Sequence, residues 1–150
     1  LLSALADDGA PLVLQVLQAL ASGQAVATPQ ASEGISEAPM LAVSDAKVDW
    51  NASAVVIDRL IRGVTPAPGA WTTLAGVRLR LGPVELVDAP QLEPGEVLAS
   101  KRQVLVGTAD GVVALGQVAP AGKKWMDAAA WARGARLDEH TVLGQEVEAN

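Results

Sequence analysis

The groups in this sequence that are best suited to chemistry are basic side chains placed to bind an anion. Lys123 and Lys124 are adjacent and come just before a predicted helix. A helix N-terminus disfavours cations, so a pair of lysines there is better explained by an anionic partner. Arg78 and Arg80 alternate with apolar residues, which puts both on the outward face of a strand. We predict that these four side chains contact phosphate, with a solvated loop and an ordinary exposed strand as the alternatives.

The other basic residues of interest each allow two interpretations. Arg62 lies at the end of a predicted helix, so it either contacts an anionic partner or stabilises the helix C-terminus. Arg133 and Arg136 follow the same pattern in a later helix. Lys101 and Arg102 are predicted at the tip of a hairpin, where a role in solubility is favoured over binding.

Groups for nucleophilic, acid–base or metal chemistry are scarce. The chain has no cysteine, which excludes disulfides and cysteine-based zinc sites. Its one histidine, His140, follows Asp138 and Glu139, and we predict that it is a solvated surface residue. No apolar run reaches the roughly 20 residues that span a bilayer, and residues 1–20 lack the basic start of a signal peptide. We predict a cytoplasmic protein without membrane contact, and no catalytic residue or metal site in this chain.

Charge is distributed unevenly along the 150 residues. The net charge is −6, which by itself argues against a polyanionic partner. Residues 1–46 and 137–150 carry nine acidic residues and no lysine or arginine. Residues 47–136 hold all eleven basic residues against eight acidic ones, a net charge of +3. The central segment is therefore the part that suits a negatively charged partner, although a mild excess of this kind also occurs in inert domains.

The N-terminal residues are predicted to form helices that are followed by a linker. Residues 1–22 have an apolar face at helical spacing, and we predict two short helices there, separated at Asp8-Gly9 and ended by Gly23. Their apolar face has no partner of its own, which suggests the tail of a larger domain. Residues 24–46 contain scattered proline, glycine and serine, and this composition predicts a linker.

Two helices are predicted to flank the basic residues. Residues 52–63 have apolar residues at helical spacing, and either Asn51 or Ser53 can cap this helix. Residues 127–134 predict a short helix with Asp127 as its N-cap. Gly134 would end this second helix, which follows the last predicted strand.

From residue 70 onward the period of the apolar residues becomes that of strands. The candidate strands are Ala70–Leu74, Val77–Val87, Glu96–Ser100, Gln103–Gly107 and Val112–Val118. Ala75-Gly76 and Asp110-Gly111 predict hairpin turns, and Gly82-Pro83 predicts a bulge or bend in the second strand. We predict a mainly β chain with flanking helices, built as a five- to six-stranded Greek-key barrel of the oligonucleotide-binding (OB) type.

The aromatic residues are all tryptophans: Trp50, Trp71, Trp125 and Trp131. Exposed tryptophans could serve as stacking platforms for nucleobases. In a chain without Phe or Tyr, large side chains are needed to fill the interior of a barrel. We predict that the four tryptophans have structural roles in the core.

Several short motifs occur in an order and spacing that resemble one enzyme family. Ala46–Trp50 reads AKVDW, Ile61–Gly63 reads IRG, and Thr65–Trp71 reads TPAPGAW. Gly107–Gly111 reads GTADG, and Gly122–Ala128 reads GKKWMDA, a segment that is completed by Gly134. Together these motifs resemble the C-terminal part of methionyl-tRNA formyltransferases. The similarity covers nearly the whole chain, except residues 143–150.

The resemblance implies an intact enzyme that transfers a formyl group from 10-formyltetrahydrofolate to the α-amino group of methionyl-initiator-tRNA. The family's catalytic Asn, His and Asp, and its folate site, belong to a Rossmann-like N-terminal domain, so none maps onto a position here. The implied organisation is residues 1–23 from the end of that domain, a 24–46 linker, an OB-like tRNA-binding domain at 47–142, and a tail at 143–150.

The resemblance also implies a partner, initiator methionyl-tRNA, and we predict a monomer. The side chains predicted to contact the tRNA are Lys123, Lys124, Arg62, Arg80, Arg78, Lys47 and Arg136. The family commonly carries a lysine in the linker where this sequence has Met40, so a linker contact would fall to Lys47.

Two other functions stay open. The chain could be a structural C-terminal module of a sugar or folate formyltransferase that does not bind tRNA. It could also be a standalone anion-binding barrel, although the unpartnered apolar helix at residues 10–22 argues against that.

Overall fold

The computed structural model describes residues 2–135, 137–138 and 140–145. They divide into two compact units, one up to Ala38 and one from Pro39 onward. The division falls inside the predicted linker. Over the described residues, no helix combines the length and apolarity that crossing a membrane requires.

The first unit contains one long helix, α1 (Leu2–Ala21). The predicted break at Asp8-Gly9 is wrong, because the helix continues through both residues and through Pro11. A proline inside a helix removes one backbone hydrogen bond, and here the remaining bonds on either side keep the helix continuous. Gly23 ends it as predicted, with φ +67° and hydrogen bonds from Gly23 N to Leu20 O and from Gln24 N to Ala19 O.

The second unit is built on antiparallel strands. Within the described residues these are β1 (Trp71–Leu74), β2 (Val77–Leu81), β3 (Val84–Val87), β4 (Val97–Ala99), β5 (Val104–Gly107), β6 (Val112–Leu115), β7 (Gln117–Pro120) and β8 (Met126–Asp127). They form two sheets, with orders β1-β2-β7-β8 and β3-β6-β5-β4. The prediction of a mainly β chain with flanking helices is confirmed.

Two long strands bend from one sheet into the other, which is why strands are more numerous than predicted. The second predicted strand divides into β2 and β3 at Gly82-Pro83, the predicted bend. The last predicted strand divides into β6 and β7 at Gly116, a break that we did not predict. A Cβ on Gly116 would lie 2.8 Å from Pro83 O, so only glycine lets the two bends approach this closely. With each bent pair counted once, six strands remain, the upper end of the prediction.

A segment near the C-terminus joins the free edges of the two sheets. Leu143 forms a bridge with Leu74 of β1, and Val142 forms one with Glu96 beside β4. Leu143 N donates to Gly95 O at 2.8 Å, and Gly144 N donates to Thr73 O at 2.8 Å. The strands and residues 141–145 therefore form a closed barrel. The sequence analysis assigned no strand to these residues.

Two helices pack against the barrel. α2 (Ala54–Gly63) is capped by Ser53, whose Oγ accepts a hydrogen bond from Val56 N at 3.4 Å. α3 (Ala128–Ala135) is capped by Asp127, whose Oδ1 accepts from Ala130 N at 2.9 Å. Of the two predicted caps for α2, Ser53 is the one used. Asn51 instead donates to the carboxylate of Asp49.

The core is mostly aliphatic, with two of the four tryptophans inside it. The side chains that are almost completely buried include Ile57 and Ile61 of α2 and the valines of β5, β6 and β7. Trp50 and Trp131 are buried, so their predicted structural role is confirmed. Trp71 is half-buried, and Trp125 is 44% exposed. The prediction is therefore wrong for Trp125, which cannot fill the core from the surface.

The hairpin turn between β5 and β6 holds the first turn of α2. Asp110 Oδ1 accepts a hydrogen bond from Ala54 N at 2.8 Å, and Ala109 N donates to Ala52 O at 3.1 Å. Asp110 thus satisfies an N–H group at the helix start that has no partner within the helix.

Replacing Asp110 with alanine is expected to lower the free energy of unfolding by about 1–2 kcal/mol, because this N–H group loses its acceptor. Urea denaturation would measure the loss. Asp88→Ala, which removes an exposed carboxylate from the loop after β3, is the matched control and should change stability by less than about 0.5 kcal/mol. Equal stability of the two variants would show that Asp110 does not cap α2.

Candidate nucleic-acid interface

The outer face of the first sheet carries the basic strand residues. Leu79 and Leu81 of β2 are buried in the core, so Arg78 and Arg80 lie on the opposite face, as predicted from their alternation. Arg80 pairs with Trp71 of β1 across the strands. Residues opposite one another in antiparallel strands share a face. Arg78, Arg80 and Trp71 therefore lie together on the outside of the barrel.

Trp71 contacts two basic side chains and is hydrogen-bonded to the segment that precedes the barrel. The Arg78 guanidinium carbon lies 4.4 Å from the centroid of the Trp71 ring, and Lys47 Nζ lies 5.7 Å from it. Trp71 Nε1 donates a hydrogen bond to Val43 O at 2.7 Å. Lys47 also forms a backbone bridge with Trp71. These cation–π contacts hold Lys47 and Arg78 at one end of the outer face.

Arg80 is stacked on the other exposed tryptophan. Its guanidinium carbon lies 5.0 Å from the centroid of the Trp125 ring. Trp125 immediately precedes Met126 of β8, and Met126 pairs with the buried Val118. Trp125 therefore points to the outer side, like Arg80. We call Trp71, Arg78, Arg80 and Trp125 the Trp–Arg strip.

The two arginines of the Trp–Arg strip differ in accessibility. Arg78 is half-buried, and its Nε is buried without a hydrogen-bond partner among the described residues. Arg80 is exposed. A guanidinium stacked on an indole keeps its N–H donors at the ring edge, where they can reach an anion in a fixed orientation. Arg80 is thus the better placed of the two to contact a phosphate.

The two lysines lie in the turn between β7 and β8. Lys123 N donates to Pro120 O at 2.9 Å, which closes this turn, and both lysines are exposed. Lys124 directly precedes Trp125 of the Trp–Arg strip. Lys123 instead lines a cavity of about 310 Å³ with Gly134 and Ala135, at the C-terminal end of α3. The argument from an unfavourable helix N-terminus therefore does not hold for Lys123, because a helix C-terminus favours cations.

The remaining predicted contacts are placed elsewhere or lie outside the described residues. Arg62 forms a salt bridge with Asp58 along α2, with Nη2 and Oδ2 3.0 Å apart, and its side chain is 61% exposed. Arg133 Nη1 donates to Lys101 O at the tip of the β4–β5 hairpin. Arg136 lies outside the described residues. The structure thus brings Lys47, Arg78 and Arg80 onto one face, and exposed Lys124 precedes Trp125 in the chain. Arg62 instead has a partner on its own helix.

Hydrogen bonds lower the pKa values of two carboxylates, and one of these, Asp49, shares a cavity with Lys47. The pKa of Asp49 lies below its ordinary value, because the backbone N–H and the side-chain amide of Asn51 both donate to its carboxylate. Asp49 lines a cavity together with Lys47, so a fixed negative charge lies near that end of the Trp–Arg strip. The pKa of Asp138 is also lowered, by the Thr141 hydroxyl and then by the backbone N–H of His140. His140 itself is exposed, as predicted.

Trp125 is the site residue that the sequence analysis missed. Neighbouring residues of a strand point to opposite sides, so the exposure of Trp125 follows from the inward direction of Met126. The sequence does not give that direction. In the described part of the chain, no three His, Asp or Glu side chains are grouped closely enough to hold a metal ion. The site therefore offers cations and aromatic faces, and these suit a polyanion that carries planar groups.

Comparison with known proteins identifies the family of this chain. A family model described as the formyl transferase C-terminal domain matches residues 40–136. A methionyl-tRNA formyltransferase from Thermobifida fusca is 52% identical over 147 residues, which is 97% of this chain and 47% of that protein. The corresponding protein of Nocardioides sp. is 52% identical over 96% of this chain and 46% of its own length. The chain thus spans about half the length of the curated relatives it matches.

Solved structures with a similar fold are more distant in sequence. HypX from Aquifex aeolicus in complex with tetrahydrofolic acid has a TM-score of 0.61 at 24% identity, over 80% of this chain and 22% of that chain. A HypX variant gives a TM-score of 0.63 at 24% identity, over 91% of this chain and 24% of the other. At this level of identity the similarity shows a shared fold.

Proposed function

Because the chain belongs to the family of formyl transferase C-terminal domains, we propose that it is the tRNA-holding region of a methionyl-tRNA formyltransferase. The intact enzyme would transfer formyl from 10-formyltetrahydrofolate to the amino group of methionyl-initiator-tRNA. The catalytic residues and the folate site would lie in an N-terminal formyltransferase domain, and α1 would be the end of that domain. A cytoplasmic location and a monomeric state are parts of the same proposal.

The observation that carries this proposal is the Trp–Arg strip on the outer face of β1 and β2. The exposed guanidinium of Arg80 is stacked on the exposed indole of Trp125, and Lys124 precedes Trp125 in the chain. This arrangement combines a phosphate-binding group with an aromatic face. Arginines of this kind bind RNA phosphates in a fixed orientation, and phosphate contacts dominate affinity for structured RNA. The relatives are identical to this chain at about half of the aligned positions, and their names support tRNA as the RNA that is bound.

The distribution of charge supports the same surface. The acidic residues 1–46 and 137–150 account for the negative net charge, whereas the barrel and its helices carry the basic excess. Electrostatic attraction to RNA therefore depends on the local surface rather than on the net charge. The modest excess of three charges predicts weak binding that is sensitive to salt.

Replacing both Lys123 and Lys124 with alanine is expected to weaken binding of initiator tRNA by this chain about tenfold. If both lysines contact phosphate, the negative slope of log K against log salt should become less steep by about 1.5. Fluorescence anisotropy of labelled tRNA across a salt series would measure both quantities.

The double variant Lys101→Ala plus Arg102→Ala is the matched control, since it removes the same charge from the β4–β5 hairpin tip. It should leave affinity and slope nearly unchanged. An equal loss in both double variants would indicate only a general charge effect. No detectable binding by the unmodified chain would favour the alternative, a structural module of a sugar or folate formyltransferase.

A further inference from the structure

A cavity beside the Trp–Arg strip has the shape and chemistry of a small-ligand site. Its volume is about 260 Å³, just below the range of roughly 300–1,000 Å³ that is typical of sites for drug-sized ligands. Three prolines and Trp125 contribute to its apolar walls. The residues lining it are Thr65, Pro66, Pro68, Gly69, Arg80, Leu81, Gly82, Pro83, Gln117 and Trp125. All of them belong to the second unit, so the site is complete within the barrel.

The polar groups around this cavity are few and specific. Gln117 is exposed, and its position in β7 puts its side chain on the same outer face as Arg80. The Gln117 amide can both donate and accept hydrogen bonds, as the edge of a nucleobase requires. Arg80 supplies positive charge at the cavity wall while stacked on Trp125. Thr65 Oγ1 already donates to Ile61 O at 2.6 Å, so the Thr65 hydroxyl is bonded to the last turn of α2.

The walls suit a flat, aromatic ligand with a negative charge nearby. Proline rings and an indole offer surfaces on which a planar ring can stack, and base–aromatic stacking is a common source of affinity for unpaired nucleotides. Arg80 lines the cavity and supplies the positive charge that a phosphate next to such a ligand requires. The small volume fits a single base better than a base pair.

We propose that this cavity binds one unpaired nucleobase, stacked on Trp125, with the adjacent phosphate on Arg80. This inference rests on the proposed function, because the base would belong to the bound tRNA. It would add a defined base-stacking site to the phosphate contacts proposed for this surface. Trp125 would then be a binding residue, although the sequence predicted a structural one.

Replacing Trp125 with leucine is expected to weaken tRNA binding about tenfold. The slope of log K against log salt should stay unchanged, because no charge is removed. Arg80→Gln should instead make that negative slope less steep by about one. Trp125→Phe retains an aromatic face and should recover most of the lost affinity. A short single-stranded oligoadenylate should quench tryptophan emission in the unmodified chain and not in Trp125→Phe, whereas duplex RNA should quench neither.

The outcomes separate this inference from the proposed function. If Trp125→Leu binds tRNA as the unmodified chain does, the stacking site is wrong and the tRNA-holding function stands. A second outcome is that Trp125→Leu loses affinity for tRNA and also shows the less steep salt slope expected of Arg80→Gln. In that case Trp125 acts only by positioning Arg80, and the stacking site is again wrong. Quenching by oligoadenylate through Trp125, without any tRNA binding, would support the base site and overturn the proposed function.

Discussion

Replacing Gly107 with alanine is expected to lower the free energy of unfolding of the barrel by about 3 kcal/mol or more. Gly107 ends β5, where its N–H donates to Glu96 O at 3.0 Å and its carbonyl accepts from Gly95 N at 2.9 Å. A Cβ here would lie 2.7 Å from Leu92 O and would overlap Glu93 O as well. Both obstacles are backbone carbonyls, which cannot rotate away as a flexible side chain would.

Thermal unfolding followed by circular dichroism would measure this loss. For a domain of about 100 residues, about 3 kcal/mol corresponds to a fall of roughly 10 °C or more in the melting temperature. The control is Gly134→Ala, because Gly134 lies in α3 with nothing within 4 Å of an added Cβ. This variant should keep or slightly raise the melting temperature, since alanine favours a helix. A Gly107→Ala protein as stable as its parent would mean that the loop over β5 is not where the structure places it.

Replacing Trp50 with alanine is expected to cost about 3–5 kcal/mol of unfolding free energy. Trp50 is 3% exposed, and its Nε1 donates to Thr72 Oγ1 at 3.0 Å. Thr72 is fully buried, so the substitution leaves a large cavity and a buried hydroxyl that loses its donor. Gly144 of the closing segment packs on the Trp50 ring, which links this side chain to the closure of the barrel.

Trp125→Ala provides the comparison, since it removes the same side chain from an exposed position. It should cost less than about 1 kcal/mol, and this result would also show that the Trp125 variants used in binding experiments are folded. Urea denaturation of both variants would give the two values. A similar cost at both positions would contradict the assignment of Trp50 to the core and of Trp125 to the surface.

The parts of the structure that could be predicted from the sequence are those that local chemistry determines. Ala75-Gly76 forms the β1–β2 turn, as its composition predicts, and Leu74 pairs with Val77 across it. Gly82-Pro83 bends the second strand because proline cannot continue the ladder. The alternation of Arg78 and Arg80 placed them correctly on the outer face.

The parts that could not be predicted depend on contacts between distant residues. The bridges of Val142 and Leu143 to residues 96 and 74 leave no periodic pattern in a two-residue segment. Trp125 is exposed because of the register of the two-residue strand β8. The side chain of Arg62 forms a salt bridge with Asp58, and its position at the helix end did not reveal this pairing. The contacts of Lys123, Lys124, Arg78, Arg80 and Lys47 with tRNA stay predictions.

The position of the closing segment in the chain has a consequence for synthesis on the ribosome. Residues 141–145 follow every strand of the barrel, yet they cover the exposed edges of β1 and β4. While these residues are still inside the exit tunnel, the emerged strands present unpaired backbone groups to solvent and to neighbouring nascent chains. During synthesis the barrel therefore stays open to association until residues 141–145 have left the tunnel and paired with both edges.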